Sequence, residues 1–426
     1  MFYCDACGWE DASVEDVETC PVCGAPVRQD EDVLDTWFSS QLWPFATMGW
    51  TEEGVDAPEM RAAYPTQVLS TARDIMGLWV ARMVMASMYC TEQIPFEHVI
   101  IHPTVMAADG KPMSKSRGNG VDPLRLMEDY GADGMRFGLL MQVTGAQDLK
   151  FNEAKLESSR NFANKIRNAA RFVMMNLDGY EPGEPAPSTP ADRWIFSRLA
   201  GLVARLDAAF DGFEFGEATR ELYAFFWNEF CDWYLELIKP DMKEEGPRKT
   251  EAQYVLWTAL REFLILMHPI MPFVTAEIWQ ALPGGAGSDA AVQLLPEARP
   301  GCLKPEAAAR MEFVQEVIGM IRTIRAELNI APSYRLTVLL RPSDAHQKDV
   351  LEANREVILT LARLGELIID ADGEAPKASA SHVAQGCEVI VHLSGAVDFA
   401  AELARLEKEL GKIDKELGGL NQKLAN

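Results

Sequence analysis

The stretch "YVLWTALREFLILMHPIMPFVTAEIWQAL", residues 254–282, decides the class of fold for most of the chain. Apolar residues return every three or four positions (Leu256, Leu260, Phe263, Met267), the period of a helix with a buried face. Upstream, "RWIFSRLAGLVARLDAAF" and "ATRELYAFFWNEFCDWYLELIK" repeat that period. Residues 151–332 are therefore expected to form an α-helical bundle. It opens with a long helix over 151–178 and is interrupted by the Pro/Gly-rich "YEPGEPAPSTPAD" (180–192).

Either side of the bundle the pattern changes. Residues 31–150 mix β-like runs such as "HVIIHPTVMA" (98–107) with helical ones such as "DIMGLWVARMVMASMY" (74–89), which predicts an α/β domain. Residues 333–397 carry strand-like "YRLTVLLRP" and "CEVIVHLSG" around a helix, so a small α/β module is expected. In residues 398–426, apolar side chains fall at Phe399, Leu403, Leu406, Leu410, Ile413, Leu417, Leu420 and Leu424, in alternating steps of four and three. That is a coiled-coil seam, which one helix cannot bury alone.

With 426 residues, 48% hydrophobic and 24% charged, the composition is that of an ordinary globular protein of several domains. A net charge of −24 argues against a general nucleic-acid coat but leaves room for a local basic groove. "NKIRNAARF" (164–172) and "IGMIRTIRAEL" (318–328) are candidates for one, and are equally compatible with solvated helix faces. No apolar run reaches membrane-spanning length, and the first ten residues lack the basic and apolar regions of a secretory leader, so a cytoplasmic location is expected.

Cys4, Cys7, Cys20 and Cys23 form C-x2-C-x12-C-x2-C, with glycines after each pair where a knuckle turn needs positive φ. Two such turns can complete a tetrahedral thiolate shell of the closed, structural kind. Zinc suits it best, and iron takes the same ligands. Reduced thiols or disulfides are the plainer alternative. Residues 1–30 are thus read as a zinc knuckle.

The loop "DGKPMSKSRGNGVDP" (109–123) sets Lys115 between two hydroxyls. Such a lysine can neutralise charge on departing phosphates while Ser114 and Ser116 donate hydrogen bonds, and Gly110, Gly118 and Gly120 let the backbone approach and move. An Asp-Pro pair closes the loop. A polar surface loop would have the same composition, and the G-x-x-x-x-G-K-[ST] phosphate loop is absent. Upstream, "DVLDTWFSSQLWPFATMGW" (32–50) gathers Asp32 and Asp35 with Trp37, Trp43 and Trp50. That mix suits either an aromatic core or a cleft for a small apolar ligand bearing an ammonium group.

Taken together, these segments resemble the valyl-tRNA synthetases, a family of class I aminoacyl-tRNA synthetases. "GKPMSKSRGN" is similar to the family's Lys-Met-Ser-Lys-Ser signature. "DVLDTWFSS", "PTQVLSTARDIMGLWVARMVM" (65–85), "NEFCDWYLELIK" (228–239) and "MHPIMPFVTAEIWQAL" (267–282) look like valyl-family segments in the family's order. The paired cysteines and the heptad tail fit the same family. The resemblance implies ATP-dependent activation of valine to valyl-adenylate and transfer to tRNA(Val), with Mg2+ accompanying ATP. Lys115 is the matching catalytic lysine, and Met113, Ser114, Lys115 and Ser116 are the matching ATP-binding residues. Trp37 and Ile75 would wall the valine pocket, with Asp74 near the polar groups of the substrate. Residues 31–150 would be the C-terminal part of a partly Rossmann-like catalytic domain, 151–332 the anticodon-binding bundle, 333–397 a junction module and 398–426 a truncated tRNA-binding arm. The family's members are expected to be monomers without membrane attachment.

Two departures bear on this expectation. Pro112 stands where the signature has its first lysine, although Lys111 precedes it. No His-Ile-Gly-His-like motif occurs, and neither the nucleotide-binding N-terminal half nor the hydrolytic editing domain is present. The chain is therefore expected to be a C-terminal fragment, inactive without its missing half. A non-catalytic tRNA-binding module derived from a synthetase is the alternative.

Overall fold

Paired tight turns organise the N-terminal residues in this computed structural model, which describes residues 1–50, 54–145, 147–183, 189–243, 245–397 and 399–424. Three short strands, β1 (Phe2–Tyr3), β2 (Glu10–Asp11) and β3 (Arg28–Gln29), form an antiparallel sheet with β1 in the middle. The two cysteine turns are built alike. The N–H of Gly8 donates to the Cys4 carbonyl and that of Gly24 to the Cys20 carbonyl, each at 2.9 Å. Both glycines have φ near +70°, the left-handed region that side chains avoid.

The chain then enters helix α1 (Thr36–Gln41), capped by the Asp35 carboxylate accepting the Trp37 N–H, and α2 (Trp43–Ala46). Helix α3 (Pro58–Ala63) leads to strand β4 (Thr66–Thr71), which pairs in parallel with β5 (Phe96–Ile101). A parallel pair needs a crossover. Here it is a tight turn at Arg73–Ile75, a π-helical turn at Met76–Val80 and helix α4 (Ala81–Cys90). Leu69, Val80, Met83 and Phe96 form the small core beneath this βαβ unit. Short strands β6 (Val105–Met106) and β7 (Leu149–Lys150) make a second parallel pair. Residues Met1–Gly120 and Thr144–Phe151 constitute one compact unit.

The second unit comprises Val121–Val143 and Asn152–Asn426. The sequence-based boundary at residue 150 thus differs from the packing. Residues 121–143 carry helices α5 (Pro123–Tyr130) and α6 (Ala132–Leu140), and these belong to the helical body. The reason is visible in the bonds. The buried Asp133 carboxylate accepts the N–H groups of Phe273 and Val274, capping a helix 140 residues away in sequence. Arg136 donates to the carbonyls of Pro269 and Ile270. Gly216 lies so close to Val143 that a Cβ would sit 2.3 Å from its carbonyl oxygen.

The bundle consists of α7 (Glu153–Asn176), α8 (Pro190–Asp211), α9 (Phe215–Ala224), α10 (Pro247–Met267), α11 (Pro272–Ala281) and α12 (Pro305–Glu327). The central part of the Pro/Gly-rich break, residues 184–188, lies outside the described residues. Beyond α9 the chain continues as a π-helix over Phe225–Tyr234. Its wider turn keeps Phe226, Phe230 and Tyr234, four residues apart, all buried. Phe226 stacks on Phe263 with centroids 4.0 Å apart. Burying each such ring contributes about 2 kcal/mol.

One polar network crosses this core. Asp192, fully buried, accepts the Tyr234 hydroxyl at 2.7 Å and two guanidinium N–H groups of Arg248 at 2.5 and 3.1 Å. It joins α8, the π segment and α10.

The small module is a four-stranded sheet ordered β10 (Ser379–Ala384), β11 (Cys387–His392), β8 (Leu336–Arg341), β9 (Leu364–Ile369). Only β8 and β9 are parallel, with helices α13 (Ala345–Ala353) and α14 (Arg355–Leu361) between them. Leu336, Val338, Leu340, Val389 and Val391 share one continuous core with the bundle. The tail is helix α15 (Phe399–Leu424), with Phe399, Leu403, Leu406, Leu410, Ile413, Leu417 and Leu420 all exposed. The seam expected from the heptads is therefore apolar and open along these seven positions; the side chain of Leu424 lies outside the described residues.

Candidate functional site

The four sulfurs of Cys4, Cys7, Cys20 and Cys23 lie within 4.8 Å of one another. Cys4 and Cys23 are 3.5 Å apart and Cys7 and Cys20 3.6 Å. A tetrahedral shell with metal–sulfur bonds of about 2.3 Å puts its sulfurs about 3.8 Å apart, so the cluster fits a thiolate-bound ion. Cys4 and Cys20 are buried and Cys7 and Cys23 face outward. The thiols do not share one acidity. Burial pushes Cys20 up, but the backbone N–H groups of Cys23 and Val22, together with the Cys7 and Cys23 thiols, outweigh it and bring it down to about 7. The backbone N–H of Trp9 favours the Cys7 thiolate, yet hydrogen bonding with the Cys23 thiol, burial and hydrogen bonding with Cys20 and Cys4 push Cys7 up to about 12.

The 109–123 loop is built by its own backbone. A turn closes between Ala107 and Gly110, whose N–H donates to the Ala107 carbonyl at 2.8 Å. Pro112 bridges Met106, and its carbonyl accepts the Asn119 amide at 3.2 Å. A proline retains that carbonyl, so losing the signature's first lysine costs this contact nothing. Residues Lys115–Arg117 form a single 3-10 turn ended by Gly118 at φ +62°. The Asn119 side-chain oxygen accepts the Ser114 N–H at 3.0 Å, and the hydroxyls of Ser114 and Ser116 lie 3.2 Å apart. Met113 is half-buried. Lys115 is exposed and, among the described residues, makes no ion pair. The Asp-Pro pair closes the loop by opening the next helix: Asp122 accepts the Leu124 N–H, and Pro123 takes the first helical position.

Trp37 lies half-buried on α1, which packs against Met76–Val80. Asp74 and Ile75 sit in the turn immediately before that segment, Asp74 exposed and Ile75 half-buried. The Trp79 indole N–H donates to the Ser40 carbonyl at 3.1 Å, fastening α1 to this segment. The fold thus brings the elements bearing Trp37, Asp74 and Ile75 together. Among the described residues, no hydrogen bond or ion pair links any of the three to the loop at 112–119.

Sequence reasoning missed two organising residues. Asn119 ties both ends of the loop; its only signal was its place as the last residue of "GKPMSKSRGN". Asp148 had no signal at all. It accepts the Thr104 N–H at 3.0 Å and lies 3.8 Å from Arg73, joining the turn that bears Asp74 to the strand pair under the loop.

The two basic stretches noted in the sequence separate in the structure. In α7, Lys165 pairs with Asp232 at 3.3 Å and Arg167 with Glu277 at 3.1 Å. In α12, Arg322 and Arg325 instead donate to backbone carbonyls.

Comparison with known proteins matches three family models in order. Residues 10–152 match "tRNA synthetases class I (I, L, M and V)", 192–340 "Anticodon-binding domain of tRNA ligase" and 398–426 "Valyl tRNA synthetase tRNA binding arm". A valine–tRNA ligase of Nitratidesulfovibrio vulgaris is 53% identical over 99% of this chain and 48% of its own length. One from Geobacter sulfurreducens is 44% identical over the whole chain and 48% of its own length. The chain spans about half the length of the curated relatives it matches. Among solved structures, the LeuRS of Agrobacterium radiobacter K84, in ternary complex with tRNA and LeuAMS, superposes with a TM-score of 0.58 at 16% identity. That match covers 86% of this chain and 48% of the other, and shows a shared fold. No helix among the described residues is long and apolar enough to cross a membrane.

Proposed function

Since the chain belongs to the valyl-tRNA synthetase family of class I synthetases, we propose that it supplies part of a valine–tRNA ligase. The reaction joins valine to ATP as valyl-adenylate, releases pyrophosphate and passes the valyl group to tRNA(Val). The observation that carries this reading is 53% identity to a valine–tRNA ligase along 99% of the chain.

In the proposed mechanism, Lys115 meets the β- and γ-phosphates as they depart. Its ammonium has no competing partner among the described residues, so it is free to bind an anion. Met113, Ser114 and Ser116 line the nucleotide side, and the two hydroxyls donate to phosphate oxygens. Stabilisation of this kind accelerates the step because the charge it meets is largest in the transition state. Mg2+ arrives with ATP and shields its phosphates. Trp37 and Ile75 form an apolar wall for the isopropyl group, and Asp74 faces the ammonium of valine. Cys4, Cys7, Cys20 and Cys23 would hold a structural zinc ion, which would fix the N-terminal turns and take no part in the reaction.

Among the described residues, strands β4 and β5 form a two-stranded parallel sheet, with Val68, Val99 and Ile101 exposed. Parallel sheets are ordinarily covered on both faces. This supports a reading in which activity needs the rest of a synthetase catalytic domain. The test is valine-dependent ATP–pyrophosphate exchange with the N-terminal half of a family member supplied in trans. Exchange only when both pieces are present supports the proposal. tRNA binding without exchange would favour a non-catalytic tRNA-binding module.

A further inference from the structure

Four arginines converge where the helical bundle meets the small sheet module. Arg322 and Arg325 come from α12, Arg335 immediately precedes β8 and Arg363 lies in the turn after α14. The last two line an open cleft of about 500 Å3, together with Pro332, Ser333, Thr360 and Leu364. In a chain of net charge −24, such a cluster would be expected to sit on carboxylates. It does not. Arg322 donates to the Leu361 carbonyl at 3.0 Å. Arg325 donates to the carbonyls of Ala331, Tyr334, Ala362 and Arg363. Among the described residues, Arg363 donates a hydrogen bond only to the Pro332 carbonyl, at 3.4 Å. Among the described residues none of the four makes an ion pair. The charges are felt mutually: burial lowers the pKa of Arg325, and Arg363 and Arg335 lower it further. Glu236 and Asp232 act on Arg322 in the opposite sense, but burial outweighs them and its pKa is lowered as well.

A second observation concerns the backbone. Arg363 follows the helix end at φ +55°, where glycine or asparagine is usual. A long cationic residue is held there against its conformational preference, on the rim of the cleft. Strain retained at one residue is a pointer to use.

We propose that Arg335 and Arg363, supported from below by Arg322 and Arg325, form a binding site for the phosphodiester backbone of an RNA. The Ser333 and Thr360 hydroxyls line the same cleft and can donate to phosphate oxygens beside the guanidinium forks. The site extends RNA contact into residues 341–397, which lie outside all three matched family models. The choice of RNA over a free anion rests on the tRNA-binding role proposed above.

The test uses the full chain and a fluorescein-labelled RNA duplex of about 12 base pairs with arbitrary sequence, read by anisotropy at about 50 and 150 mM NaCl. Arg335→Glu and Arg363→Glu should each weaken binding about tenfold at low salt and lower the salt slope by about one. Lys377→Glu makes the same charge change outside the cleft and should leave affinity within about twofold. Arg363→Gly removes the charge and relieves the backbone, so it should lose affinity while its Tm does not fall. Full affinity in the Arg335 and Arg363 variants, or an equal loss in Lys377→Glu, overturns the proposal. Protection of the cleft by inorganic phosphate with no binding of the duplex overturns the RNA assignment. Neither valine, ATP nor cognate sequence is present, so failure here leaves the ligase reading intact, and failure of pyrophosphate exchange leaves this one intact.

Discussion

The side chain of Asn119 holds both ends of the signature loop, accepting the Ser114 N–H at 3.0 Å and donating to the Pro112 carbonyl at 3.2 Å. The loop is thereby preorganised around Lys115 without any contact to Lys115 itself. Asn119→Ala should slow pyrophosphate exchange of the two-piece enzyme about tenfold, as modest misplacement of a catalytic group does. Amide hydrogen exchange at Ser114 should speed up in the chain alone. Unchanged protection at Ser114 would contradict the clamp.

Lys115→Ala removes an exposed cation, so thermal stability should stay the same. Valine activation should fall about a hundredfold or more, because a preorganised charge is lost from the transition state. Lys115→Arg should recover part of the rate. An alanine variant with wild-type exchange would remove the lysine from the mechanism.

Cys20→Ser with Cys23→Ser takes two ligands from the sulfur cluster. Native mass spectrometry should show one bound metal in the parent chain and none in the variant, and proteolysis should reach residues 1–30 first. Zinc gives a colourless protein, whereas iron on four thiolates absorbs in the visible. Equal metal content in parent and variant would dismiss the site.

Arg248→Ala leaves the Asp192 carboxylate fully buried with only the Tyr234 hydroxyl. Removing one partner of a buried pair costs about 3 kcal/mol or more. Urea unfolding should show a loss of that size. Asp192→Asn with Arg248→Met should lose less than the sum of the single changes.

Cys231 lies buried in the π segment, and burial pushes its thiol from 9 up to about 12. The folded state therefore keeps a proton that the unfolded chain releases. This contribution is intact below about pH 9 and is lost as pH rises from there towards 12. Cys387 acts in the same direction, raised to about 11 by burial. Chemical denaturation at pH 8 to 11 should show stability falling with pH, and Cys231→Ala should flatten the slope.

Much of this molecule could be read directly from residue order. The three- and four-residue period around Phe263 specified helices because one buried stripe is all a helix needs. The spacing of Cys4, Cys7, Cys20 and Cys23 specified a cluster because each pair lies on a single turn. The expectation of a phosphate-facing lysine in the Met113–Ser116 stretch rests on the same kind of local information, since the groups are neighbours in the chain. Packing alone settled the rest. Residues 121–143 follow the loop in sequence but fold with the bundle, because Asp133 caps a helix that begins at Pro272. "NKIRNAARF" and "IGMIRTIRAEL" look alike as strings, yet the first meets carboxylates and the second meets carbonyls. Arg335 and Arg363 are 28 positions apart and become neighbours only through the parallel pairing of Leu336 with Leu364. Local periodicity and short-range chemistry are carried by adjacent residues; which distant charges face one another depends on how the elements pack.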